Sequence, residues 1–461
     1  MLFNSYEFIF YFLTPVIILY FSISKIYRIY YLILVSFIFY AQWDIGDFFI
    51  LFISIVINYS FSTLISKRDR YQLVLLYSIL LFNILLLGYF KYFGFLNLSN
   101  SDTILPLAIS FFTFQQIAYI VDIYKGNIKI ESFNRYLFFI SFFPQLIAGP
   151  IMHYNDITKQ IKHKEWGNFN LNQLKAGITL FSIGLFKKVV LADNLVSIVD
   201  DSFNHINLAM SSFDAWMGLF AFSFMIYFDF SGYADMAIGL ALLFGIHLNL
   251  NFYSPYKAVN LIEFWRRWHI TLSIFLRDHI YIPLGGNRSG KTVQIFSLMF
   301  TMLVGGIWHG AGWNFLIWGG VHGLGLALLH ILYQVKRVYF YNLKENYLTI
   351  FFKYISILIT FLFVTLLWVL FRTDNISDAL TYYLVLKDFN FSSAVINLDS
   401  YLIVTSLLIV WILPNSMQVV KLNQKDFGLK SWYGYMSAIL LFIALKLMAE
   451  SPSVSFVYFN F

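Results

Sequence analysis

The chain has 461 residues, 59% of them hydrophobic and 12% charged, with a formal net charge of +7 and no cysteine. Soluble domains carry about a quarter charged residues, so a water-soluble globular fold is excluded. The missing cysteines also exclude disulfides, thiolate metal sites and a cysteine-bound acyl intermediate.

About a dozen apolar runs of roughly 16 to 22 residues follow one another, each near the length that crosses a bilayer core as a helix. The first, residues 8–24, is preceded by Glu7 and followed by Lys25 and Arg28. The positive-inside rule therefore puts the N-terminus outside, and no cleavable signal peptide is expected. Alternation then places Lys67, Arg68 and Arg70 inside, with Lys125 and Lys129, Lys159, Lys162 and Lys164, Lys336 and Arg337, and Lys421, Lys425 and Lys430. The acidic residues Asp200 and Asp201, and the stretch 374–399, fall outside. Parity requires residues 138–150, interrupted by Pro144, Gly149 and Pro150, to be re-entrant or interfacial. It also requires residues 216–245 to be one crossing, broken at Ser231-Gly232. The expectation is an all-α polytopic membrane protein with about twelve crossings, a single domain over residues 1–461. Topology and anionic membrane lipids account for the positive charge, and no nucleic-acid-binding pattern accompanies it.

Asp229 and Asp235 interrupt the apolar run 216–245 within Tyr227-Phe228-Asp229-Phe230-Ser231-Gly232-Tyr233-Ala234-Asp235. Carboxylates at a broken helix would orient histidines, cap helix N-termini or carry protons; a purely structural role stands beside these. Residues 261–280 predict an amphipathic interfacial helix. On a wheel of 100° per residue, Leu261, Phe264, Trp265, Trp268, Leu272 and Phe275 form an apolar arc opposite Glu263, Arg266, Ser273 and Arg277. His269 falls at the boundary, as an interfacial histidine or a functional one. Arg266 and Arg277, about 20° apart on the wheel, would face headgroups or the phosphates of a cytoplasmic ligand.

His309, in Trp308-His309-Gly310, falls in an expected outer turn, where a surface or interface role is the plainer reading. His322 lies inside the run 313–333, which contains no lysine, arginine, aspartate or glutamate before its end, about 13 Å from the outer terminus. A histidine at that depth is by default functional. Gly319 and Gly325 share its side of the helix, allowing close helix packing or room for substrate. No metal-ligand spacing links His309 and His322, and neither an HExxH pattern nor a Gly-x-Ser-x-Gly elbow occurs. Acid/base chemistry by histidine remains.

Phe264-Trp265-Arg266-Arg267-Trp268-His269-Ile270-Thr271-Leu272-Ser273, with Leu276-Arg277-Asp278 and Tyr281-Ile282-Pro283-Leu284-Gly285-Gly286-Asn287-Arg288, resembles the signature of the membrane-bound O-acyltransferase superfamily. It is most similar to the bacterial branch of peptidoglycan O-acetyltransferases and alginate O-acetylase membrane subunits. The stretch from Leu105 to Gln115, Phe143-Pro144-Gln145-Leu146-Ile147-Ala148-Gly149-Pro150, Gly184-Leu185-Phe186-Lys187-Lys188, the Asp229 to Asp235 stretch and Gly305-Gly306-Ile307-Trp308-His309-Gly310 also fit. Together they mark a motif-bearing core over about residues 105–325, with peripheral helices at 1–100 and 340–461.

The resemblance implies a ring of about 11–12 tilted helices around a thinned central catalytic channel, with re-entrant and interfacial helices. It makes His322 the catalytic histidine and His269 its polar partner, with Arg266, Arg277, Asp229, Asp235, Trp308, His309 and Asn314 as donor-binding or supporting residues. It implies acetyl-CoA as co-substrate, no resident cofactor or metal, and a periplasmic SGNH-type partner that acetylates the polysaccharide. The enzyme would sit in the cytoplasmic (inner) membrane. Direct attack and a covalent acetyl-histidine relay both remain open. Tyr281 to Arg288 is a continuation that the related teichoic acid D-alanyl transfer subunits typically lack, which favours the acetyl branch. The rather compact chain favours peptidoglycan over alginate or another exopolysaccharide. A proton-coupled transporter or flippase using His269, His322 and Asp229 is the alternative of another class; it predicts an inverted repeat, and none is evident in the sequence.

Overall fold

The structure, a computed structural model, describes residues 1–93, 95, 105–206, 210–339, 347–388, 390, 398–421, 431–450, 454, 456 and 457. Among these there is no strand, and the protein is an all-α, multi-pass membrane protein. A π-helical stretch, Glu7–Leu13, leads into α1 (Thr14–Ser22), followed by α2 (Lys25–Ala41), α3 (Ile45–Ser66), α4 (Gln72–Tyr92) and α5 (Ile109–Lys125). Three short helices come next, α6 (Phe133–Ser141), α7 (Phe143–Leu146) and α8 (Tyr154–Lys162), then α9 (Leu171–Phe186), α10 (Asp193–Phe203) and α11 (Ser212–Leu243). The short α12 (Leu261–Trp265) and α13 (Ile270–Leu276) precede the long α14 (Lys291–His309), α15 (Trp313–Tyr339) and α16 (Tyr347–Arg372). The series continues with α17 (Ile376–Asp388), α18 (Leu398–Ile412), α19 (Ser416–Val420) and α20 (Ser431–Glu450).

Two compact units divide the chain. The first comprises Met1–Val189, Gly232–Leu250 and Ser416–Asn460; the second comprises Val190–Ser231, Asn251–Asn415 and Phe461. Seven helices among the described residues are long and apolar enough to cross a membrane, in α3, α4, α11, α14, α15, α16 and α20. Glu7–Ser22 and Asp399–Ile412 are shorter apolar stretches. The expected dozen runs thus fold into helices of unequal reach. The helices α2 and α5 have 17 residues each and α9 has 16, about 24 to 26 Å at 1.5 Å per residue, against a hydrocarbon core of about 30 Å. Lys425, Lys430 and the side chains of Lys336 and Arg337 lie outside the described residues, as do residues 389 and 391–397 of the acidic stretch.

In the first unit the proline-interrupted segment folds as α6 and α7, of nine and four residues, neither able to cross a bilayer. Glu131, before α6, forms ion pairs with Arg135 and with Lys162 at the end of α8. The chain therefore returns to the place from which it set out, and residues 138–143 between are buried. Partial burial pushes the Glu131 carboxyl up, but hydrogen bonds and charge from Lys162 and Arg135 outweigh it and hold the pKa below the ordinary value.

The expected break at Ser231-Gly232 does not occur. The helix α11 runs unbroken for 32 residues. Gly232 serves close packing instead: a Cβ there would lie 2.8 Å from the Gly184 carbonyl oxygen of α9. A helical glycine that lets two backbones meet has no need to bend.

In the second unit α14 and α15 form a tight hairpin across Gly310 and Gly312. A Cβ on Gly319 would meet the Met302 carbonyl oxygen and stand 3.2 Å from the Gly306 Cα. The amphipathic helix expected over 261–280 is also absent as a single element. It is an elbow: α12 stops at Trp265, α13 starts at Ile270, and a π-helical turn covers Arg277–Tyr281.

Candidate active site

His322 is 0% exposed and its ring is walled by aromatic groups from three helices. Trp318, one turn earlier on α15, is 4.7 Å away between ring centroids. The α12 residues Trp265 and Phe264 are at 5.3 and 6.4 Å, the latter nearly parallel to the imidazole, and Phe363 of α16 is at 6.0 Å. Neither ring nitrogen of His322 has a hydrogen-bond partner among the described residues, nor do the indole N–H groups of Trp265 and Trp318. Buried polar groups are ordinarily paired, and an unpaired one costs free energy, so this concentration calls for a polar guest. The glycines beside His322 do not make that space. Gly319 is taken up by packing on α14, and a Cβ on Gly325 would lie 2.6 Å from the Leu261 side chain.

His269 is also 0% exposed, which overturns its expected place at a helix boundary between membrane face and polar face. Its φ of 41° is left-handed, a conformation rare outside glycine and asparagine. His269 is the N-cap of α13 and turns the chain between α12 and α13, with the imidazole inside. Asn251 fixes it: its carbonyl oxygen accepts the Ile270 N–H at 3.0 Å. Its side-chain oxygen accepts the Thr271 hydroxyl at 2.6 Å and the Thr271 N–H at 3.3 Å. A second tie runs from the Tyr253 N–H to the Arg267 carbonyl oxygen, 3.0 Å. Around the His269 ring stand Phe230 at 4.8 Å, Trp308 at 6.0 Å and Phe252 at 6.5 Å. Burial in this apolar setting pushes its pKa down to about 3, so the ring is neutral near pH 7.

The two histidines do not touch each other. Among the described residues the ring neighbours of His322 are Phe264, Trp265, Trp318 and Phe363. A row of rings connects them instead: His269 meets Trp308, Trp308 meets His309 at 4.9 Å, His309 meets Trp318 at 5.1 Å, and Trp318 meets His322. His309 is therefore no surface residue. It is 4% exposed, because it ends α14 with its ring turned against Trp318 and Phe371, the latter 5.2 Å away.

The other expected site residues separate. Asp229 is buried in the second unit, next in sequence to the Phe230 ring that meets His269. Asp235 belongs to the first unit, where Lys187 pairs with it at 2.7 Å. Asn314 is buried and donates to the Thr373 carbonyl oxygen, fastening the first turn of α15 to the end of α16. Arg266 and Arg277 are exposed as expected, but the elbow between them removes their shared face. Arg277 donates instead to both carboxylate oxygens of Asp278, at 2.7 and 3.0 Å. Among the described residues no three His, Asp or Glu side chains gather as metal ligands would.

Sequence reading missed Trp318, Trp265 and Asn251 as site residues. Trp318 was discoverable, since i−4 on a helix shares the face of His322. Trp265 stood in the apolar arc, where bulk and function look alike. Asn251 gives no local signal, because its partners are about 20 residues ahead in the chain.

A family model for the membrane-bound O-acyltransferase family matches residues 124–372, a stretch that contains both histidines and every ring of the row. The chain belongs to the membrane-bound O-acyltransferase family. Within that family it resembles the peptidoglycan O-acetyltransferase of Helicobacter pylori, 39% identical over 100% of this chain and 98% of that one. It also resembles the probable alginate O-acetylase AlgI of Pseudomonas aeruginosa, 38% identical over 82% of this chain and 73% of the relative. The teichoic acid D-alanyltransferase of Streptococcus thermophilus is more distant, 28% identical over 48% of this chain and 56% of its own. Membership in the membrane-bound O-acyltransferase family makes this chain an acyltransferase, in the branch of the peptidoglycan and alginate O-acetylating enzymes.

Proposed function

We propose that the protein takes acetyl from acetyl-CoA on the cytoplasmic side of the inner membrane and passes it across for O-acetylation of a cell-envelope polysaccharide, peptidoglycan first. The single observation that carries the chemistry is the His322 imidazole, wholly buried in a cage of neutral rings, with neither nitrogen partnered among the described residues. A neutral imidazole there would take the proton of an attacking hydroxyl as the acyl carbon is engaged, then return it to the leaving thiolate. His269, held by Asn251 and neutral at rest, is assigned to orienting the donor thioester; Arg266 would meet the donor's phosphates. The acceptor hydroxyl is assigned to a periplasmic SGNH-type partner, which carries acetyl on to the glycan. Peptidoglycan is preferred over alginate because the match to the Helicobacter pylori relative runs the length of both chains, whereas the Pseudomonas aeruginosa alginate relative is matched over 73% of its length.

The test is acetyl-CoA consumption by the purified protein with its partner, using radiolabelled acetyl. His322→Ala is expected to abolish label transfer while the protein remains in the membrane at wild-type level. Wild-type protein that never consumes acetyl-CoA, with a partner competent to receive acetyl, would overturn the reading.

A further inference from the structure

We propose that the indole N–H groups of Trp265 and Trp318 are the oxyanion-binding pair of the acyl-transfer site; this rests on the reading of His322 as the acyl-transfer base. Trp265, Trp318 and His322 form a closed triangle of rings. Trp318 and His322 are 4.7 Å apart, Trp265 and His322 5.3 Å, and Trp265 and Trp318 5.8 Å. All four polar atoms of that triangle, two indole nitrogens and two imidazole nitrogens, are buried and have no hydrogen-bond partner among the described residues. The remaining ring neighbours of His322 among the described residues are Phe264 and Phe363, which offer neither donor nor acceptor.

Indole carries a donor and no acceptor. Two such donors beside a neutral imidazole match one chemical object: a carbonyl oxygen that becomes negative while an adjacent hydroxyl loses its proton. In the step, the acceptor oxygen forms a bond to the thioester carbonyl carbon and its proton goes to a ring nitrogen of His322. The carbonyl π pair moves onto oxygen, where the N–H groups of Trp265 and Trp318 hold it. The tetrahedral species collapses when that pair re-forms the carbonyl, the carbon–sulfur bond breaks, and the leaving thiolate takes the proton back from His322. Donors fixed in a water-excluded site are worth most at the moment charge develops, and they need no reorganisation. The elbow explains why the pair comes from two elements. By stopping α12 at Trp265, it sets that ring against α15, which supplies Trp318 and His322.

The test replaces each tryptophan, one at a time, by its isosteric analogue with sulfur in place of the indole N–H, which keeps the ring and removes the donor. Each is expected to lower kcat for acetyl transfer by about a hundredfold or more, the usual effect of deleting one oxyanion donor, with the donor KM nearly unchanged. Trp265→Phe and Trp318→Phe, followed by thermal melting, serve as second variants. The same analogue at Trp411, half-buried against Phe361 with its buried N–H unpartnered among the described residues, is expected to leave kcat at the wild-type value. Wild-type kcat in both the Trp265 and Trp318 analogues overturns the proposal. The His322→Ala variant separates the two readings: inactive His322→Ala beside fully active analogues removes the oxyanion pair alone, whereas a wild-type protein without acetyl turnover removes both.

Discussion

The two buried histidines reach their places by opposite means. His322 sits in regular α15, where its backbone is unexceptional; what sets it apart is a ring whose nitrogens have no hydrogen-bond partner among the described residues and which aromatic groups surround. His269 is set by its backbone, a left-handed residue at an elbow pinned by Asn251, and its ring meets Phe230, Phe252 and Trp308. A helix position follows from periodicity alone, while an elbow follows from contacts distant in sequence. The first is expected to tolerate changes in neighbouring loops that the second does not.

The largest expected effect tests that asymmetry. His322→Gln is expected to lower kcat by about two to four orders of magnitude, the range of a lost general base. His269→Asn, whose side chain tolerates the left-handed turn, is expected to cost less and to act chiefly on the donor KM. Equal losses in kcat would put the two rings on one footing. The same variant carries a pH signature. Because the folded-state pKa of His269 is depressed, its contribution to stability is complete above the ordinary imidazole value of about 6.5 and is lost as pH falls toward the folded value of about 3. Melting temperatures between pH 7 and 5 are expected to fall less steeply in His269→Asn than in the wild type.

The next effect concerns the glycines of the His322 helix. Gly319→Ala places a methyl group against the Met302 carbonyl, and overpacking of this kind costs about 1–3 kcal/mol. A lowered melting temperature with an unchanged acceptor KM is the expected result. A raised KM with unchanged melting would restore the reading of these glycines as room for substrate.

Much of this was legible in the chain, unevenly. The all-α class, the buried His322 and the non-crossing segment around Pro144 follow from hydropathy and from the residues that interrupt it, both local properties. The family was legible because long motifs retain their order. Two elements were read wrongly for one reason, that a periodic pattern does not report backbone continuity. Residues 261–280 fit a helical wheel yet turn at His269, because contacts from Asn251 outweigh local propensity. Conversely, Ser231-Gly232 looked like a break and is straight helix, since Gly232 is there to let α9 approach. His309 was read as superficial from its neighbouring glycines, although the hairpin they permit is what buries it.

Asn251 ranks third. Asn251→Ala removes one acceptor of the Thr271 hydroxyl and N–H, and losing a hydrogen bond of this kind costs about 0.5–1.5 kcal/mol. Thr271→Val removes the same hydroxyl from the other side, so the double variant is expected to cost less than the sum of the two singles. If Asn251 positions His269, the variant also raises the donor KM in step with His269→Asn. Lost stability at unchanged KM would leave Asn251 a purely structural tie.

The smallest effect lies on the exposed side of the elbow. Arg277 is exposed and already donates twice to Asp278, so part of its charge is answered within the chain. Arg266 is exposed with no carboxylate bonded to its side chain among the described residues, because the neighbouring Glu263 pairs with Arg267. A phosphate-bearing donor would therefore gain more from Arg266. Arg266→Ala is expected to raise the KM for acetyl-CoA severalfold at low salt and Arg277→Ala less, both differences shrinking as ionic strength rises and screens exposed charge. Asp278→Asn frees Arg277, and the KM should then fall slightly below the wild-type value. A larger effect from Arg277 than from Arg266 would place the donor phosphates beyond the elbow, beside the π-helical turn.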